Sequence, residues 1–178
     1  MRIPIDNLEA QAPAVFSYPK ADIMRVVEAR TSVIGQMRGD KDNLNYIERM
    51  SLTEGESFLS DDMLLEAIEK VHEYLQAFTR GEEHACELDA NDNIVFTLQP
   101  KPWWDRAALS SVDINIKNAL IEYIIYLWFE MANPDEAAAH YAKYENYAHE
   151  AQLGMNRENG TLERRYNTPF NTIFEGRK

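Results

Sequence analysis

A chain of 178 residues with 45% hydrophobic side chains is long enough to bury a real core, as one domain or one domain with appended arms. Its formal net charge of -12 argues against nucleic acid as a direct ligand, because affinity for phosphate comes largely from Lys and Arg that neutralise it. The single cysteine, Cys86, excludes an internal disulfide framework, and the opening MRIPIDNLEAQAP lacks the apolar core of a secretion signal.

Residues 1–18 read as an extended N-terminal arm, broken by Pro4 and Pro13 and without a helical period. A helix is predicted from just after Pro19 to about Arg38, with Ile23, Val26, Val27, Val33, Ile34 and Met37 toward one side and Gly39 closing it. Asp40 to Met50 is polar, a loop or a short turn of helix with Leu44 and Ile47 as anchors. Thr53 and Glu56 form a capping box, so the next helix starts there or at Ser60. Its apolar residues Leu64, Ile68, Val71, Leu75 and Phe78 alternate spacings of four and three, giving one stripe with acid opposite, and Gly81 ends it.

Cys86 to Leu88 and Ile94 to Leu98 flank the turn-rich Asp89-Ala90-Asn91-Asp92-Asn93. That is a short hairpin at about 86–98, which survives only if packed on something else. Pro100 and Pro102 stop its second strand. The adjacent Trp103 and Trp104 then serve either as a lid on the helices or as interface anchors.

The stretch VDINIKNALIEYIIYLWFEM, Val112 to Met131, is apolar on every side of a helix from Ala119 onward, with only Glu122 and Glu130 interrupting. Those residues span roughly 20 Å against a hydrocarbon core of about 30 Å, so the membrane reading fails. The helix must be covered by protein, either by its own domain, which is favoured, or partly by a neighbouring copy. Asn133-Pro134-Asp135-Glu136 then starts another helix, with Asn as cap and Pro in the first helical position. It runs to about Leu153 with Gly154 as its stop, and carries a seam of Ala137, Tyr141, Tyr144, Ala148, Ala151 and Met155. Tyr141 and Tyr144 are interface candidates on that seam. Residues 156–178 form a second arm, whose Tyr166, Phe170 and Phe174 are candidates for docking on a neighbour.

The expected fold is therefore mainly α: a small antiparallel helical bundle over residues 19–155 with a short β-hairpin and extended arms. From Ser51 to Asp92 the chain holds 12 acidic residues against Lys70 and Arg80. A solvated helix face accounts for this simply; an acidic wall facing a sliding polyanion is the sharper alternative.

Little in the chain points to catalysis. Glu69 and His72 have the Glu-x-x-His spacing that places two metal ligands on one helical face, but Glu122, Glu130 and the Glu145/His149 pair do not repeat it. No phosphate loop, nucleophile elbow or zinc-spaced cluster is present, and Cys86 beside His84 is a weak nucleophile pair. No catalytic residue, metal site or cofactor is assigned.

The stretch FLSDDMLLEAIEKVHEYLQAF resembles the opening helix of tailed-bacteriophage head-tail connector (adaptor) proteins, in which acidic residues precede an amphipathic helix. IKNALIEYIIYLWFEMANP resembles their later helix, through Ile116, Lys117, Ala119 and Leu120 and the aromatic pair Trp128 and Phe129 followed by Glu130. The likeness covers about residues 58–133. It implies a non-enzymatic virion protein that assembles into a ring, usually dodecameric, beneath the portal, with DNA passing through. Its partners would be other copies, the portal and further neck or tail proteins, without sequence-specific nucleic-acid binding and without a membrane. The implied location is the head-tail junction, with host cytoplasm during assembly. Terminal arms would grip a neighbour, and Glu66, Glu69 and Glu73 would face the channel. The portion through Met50 and the last helix have no counterpart in the family pattern, so the layer of the neck or tail is open. The alternatives are a metal-binding helical-bundle enzyme and a cytosolic helical protein-protein adaptor.

Overall fold

A computed structural model describes residues 11–38, 52, 57–79 and 85–158. The chain begins with strand β1 (Ala14–Pro19) and helix α1 (Lys20–Arg38), then α2 (Ser57–Leu75) with a 3-10 turn at Gln76–Phe78. Strands β2 (Cys86–Leu88) and β3 (Asn93–Leu98) and a second 3-10 turn at Arg106–Ala108 lead to α3 (Leu109–Ala132) and α4 (Pro134–Asn156).

The all-apolar stretch lies in α3, and most of its cover comes from the same chain, with Met131 left 57% exposed. Ile116, Ala119 to Ile125, Trp128 and Phe129 are all buried, and α4, α1, α2 and β1 pack against the helix. Each large side chain buried this way contributes about 1.5–3 kcal/mol relative to exposure. On α2 the spacing of four and three puts Leu64, Ile68, Val71, Leu75 and Phe78 in the core, none more than 5% exposed. The helix starts at Ser57, between the two expected starts. The capping pair Thr53 and Glu56 lies outside the described residues, as do Leu44, Ile47, Gly81 and His84.

The hairpin forms where expected, but the sheet has a third strand. The order is β1-β3-β2, antiparallel throughout. β1 comes from residues read as part of the extended arm, and it supplies the support that a two-stranded ribbon needs. Its alternation buries Ala14, Phe16 and Tyr18 on the face shared with Ile94, Phe96 and Leu98 of β3, and Phe16 stands opposite Phe96. In the β2–β3 turn, Asp92 takes a positive φ of 57°, which Asp tolerates better than most residues. Hydrogen bonds to Asp89, first from the Asn93 backbone and side chain and then from Asn91, hold its carboxyl below the ordinary range.

Two details of α4 differ from the sequence reading. Asn133 occupies the N-cap with Pro134 after it, yet its side chain makes no capping hydrogen bond; the Asn133 carbonyl accepts from the amides of Glu136 and Ala137. Gly154 does not stop the helix, which continues to Asn156. A Cβ at Gly154 would lie 2.5 Å from Cγ2 of Val112, so the glycine permits close approach of α4 to α3.

Candidate functional site

Glu122 sits inside the apolar run of α3 and is 4% exposed. An unpaired charge there would be prohibitive, so partners must reach it. Arg30 comes from α1, and His140 and Lys143, one turn apart, come from α4. The Arg30 guanidinium donates to one carboxylate oxygen at 2.5 Å, and His140 Nδ1 lies 2.7 Å from the other. Lys143 Nζ stands 4.0 Å away. Burial pushes the Glu122 carboxyl up, but the hydrogen bond and charge of His140, with Lys143 and Arg30, outweigh it and hold the group below the ordinary carboxylate range. An ionised carboxylate can only accept, so Nδ1 of His140 carries the shared proton. The imidazole is 4% exposed and lies against Phe129, with ring centroids 5.4 Å apart.

This cluster floors a groove of about 690 Å³ between α1 and α4. Val26, Ala29, Val33 and Ile34 line its apolar wall, and Arg25, Arg30 and Lys143 supply cations. In sequence Glu122 reads as an interruption of the apolar run and as an unrepeated metal-ligand candidate, and its three partners are not visible there. The available signal was the carboxylate itself: on a helix apolar all round, Glu122 required cations from elsewhere.

The side chains selected from sequence have several fates. Trp104 is 4% exposed, and its indole N–H donates to the Gly154 carbonyl at 2.9 Å, so it caps the helices as a lid within its own chain. Trp103 remains half-buried and donates to Glu158 at 3.0 Å. Tyr144, an expected interface residue, is instead buried within the domain. Its hydroxyl donates to the Lys70 carbonyl, and its ring packs edge-on against Tyr123 and Tyr74. Tyr141 keeps 39% exposure beside Tyr126. Tyr166, Phe170 and Phe174 lie outside the described residues.

Glu66, Glu69 and Glu73 are all exposed on the outer face of α2. Glu66 accepts from the Tyr123 hydroxyl at 2.9 Å, and Glu73 pairs with Lys70 at 2.8 Å. Glu69 and His72 border a second cavity of about 420 Å³ that also includes Cys86. Among the described residues, no group of three or more His, Cys, Asp or Glu side chains is placed to hold a metal ion. Burial pushes the Cys86 thiol up to about 12, which keeps it protonated near neutral pH and works against nucleophilic use. No described helix is long and apolar enough to cross a membrane.

Comparisons with protein-family models, curated proteins and solved structures found no match to the chain.

Proposed function

We propose that the chain is a structural subunit of a phage head-tail connector, a ring through which DNA passes below the portal. One observation supports this most directly. The two stretches that resemble connector helices fold as α2 and α3 and pack on each other, Tyr123 of α3 reaching Glu66 of α2, while α2 turns Glu66, Glu69 and Glu73 outward. On this reading the ring is a homo-oligomer, dodecameric as the resemblance implies, and its work is self-association and docking to the portal and to other neck or tail proteins in the virion. Of the interface candidates among the described residues, the half-buried Trp103 and the 39% exposed Tyr141 remain available for contact.

Negative-stain microscopy of the purified chain, alone and mixed with the portal of the same genome, tests the proposal. Rings in either sample are the expected result. A strictly monomeric species with no affinity for portal overturns it.

A further inference from the structure

We infer that the groove between α1 and α4 is a binding site for a small amphipathic carboxylate, an anionic head on a slender apolar body. The inference rests on the chemistry of the groove and stands independently of the connector reading. Among the described residues that line it, three cationic side chains, Arg25, Arg30 and Lys143, stand against one carboxylate, Glu122. Both Glu122 oxygens are engaged, one by Arg30 and one by His140. Arg30 commits one terminal nitrogen to that contact, and a guanidinium carries five N–H donors in all. The Lys143 ammonium stands 4.0 Å from Glu122, beyond hydrogen-bond reach, with its side chain 55% exposed. Among the described residues Arg25 pairs only with Asp22, an exposed contact at 3.4 Å. Donors for a second carboxylate are therefore present at the rim. A local surplus of positive charge on a chain of net charge -12 marks this groove as a place for anions.

The wall specifies the rest of the ligand. Val26, Ala29, Val33 and Ile34 lie along one face of α1, and Val33 is 51% exposed. From Arg25 to Ile34 the helix rises roughly 14 Å, room for an apolar chain laid along it. The volume of about 690 Å³ falls within the range of small-molecule sites, about 300–1,000 Å³. An inorganic anion would leave the wall wet, and an ammonium head would meet three cations.

Octanoate, octylammonium and 1-octanol, each titrated calorimetrically into the full chain, test the assignment. Octanoate is expected to saturate one site, with octylammonium at least about tenfold weaker, as loss of charge-assisted hydrogen bonds predicts. Lys143→Met should weaken octanoate by about tenfold and leave 1-octanol unchanged. Ala29→Trp, at an exposed position on the wall, should fill the groove and abolish binding, with an unchanged thermal melt showing that the variant is folded. Octylammonium binding as tightly as octanoate, or octanoate binding undiminished by Ala29→Trp, overturns the inference. So does self-association seen by sedimentation that Ala29→Trp abolishes while octanoate fails to bind, since the occupant is then a second copy.

Discussion

Glu122 carries more of the molecule's electrostatic organisation than any other described side chain, because it joins three helices through one carboxylate. Removing one partner of a buried pair costs about 3–5 kcal/mol. Arg30 is 41% exposed, so water can compensate it in part, and Glu122→Gln should cost about 2–3 kcal/mol. The pH dependence has a definite sign. A carboxyl held below its ordinary value of 4.5 adds stability that is present above that pH and lost as pH falls through the lower folded value. Denaturant midpoints compared between pH 6 and pH 3 should therefore show the gap between wild type and Glu122→Gln narrowing as acid is added. A gap that stays constant over that range contradicts the assignment. The site was half legible: a carboxylate in an all-apolar helix is visible in sequence, whereas Arg30 stands 92 positions away and is indistinguishable there from any solvated arginine.

At the scale of elements, the helices were readable because each is long enough for its apolar spacing to repeat several times. β1 was not, since AVFSYP is only six residues, ends in proline and finds its partner far along the chain. A short alternation beside Pro13 looks like an arm until its pairing partner is known. Gly154 misled for a related reason: helix-stopping and close-packing glycines are identical in sequence, and only the position of Val112 separates them. Gly154→Ala tests that role. Alanine favours a helix interior by about 1 kcal/mol over glycine, but a methyl 2.5 Å from a stiff, β-branched Val112 forces α3 and α4 apart. A net loss of about 1–2 kcal/mol is expected from overpacking. In the Val112→Ala background the same change should become neutral or stabilising. Thermal melts of the two singles and the double measure it, and additive effects dismiss the contact.

Over the whole molecule, charge is divided. Acid covers the outer face of α2, while Arg25, Arg30 and Lys143 gather at the groove between α1 and α4. If the chain forms a connector ring with α2 toward the lumen, reversing Glu66, Glu69 and Glu73 to Lys converts a surface that repels DNA into one that holds it. Phage carrying the triple reversal should assemble yet package or eject DNA slowly, because all three positions are exposed and, among the described residues, Glu66 is bonded only to the Tyr123 hydroxyl and Glu73 only to Lys70. Unchanged packaging and ejection sink the channel assignment without touching the ring.

The strand order β1-β3-β2 carries a consequence for how the chain reaches this state. On the ribosome β1 emerges before its partner, which follows only after Lys20 to Asp92 have been made. Until then Phe16 and Tyr18 have no sheet to enter, and closing so long a loop carries an entropic cost. The hairpin of β2 and β3 is local and can form as soon as it is synthesised, leaving the earliest strand among the last to dock. The sheet is thus a late latch on a helical body, and β1 is the strand most exposed to misassociation while folding is under way.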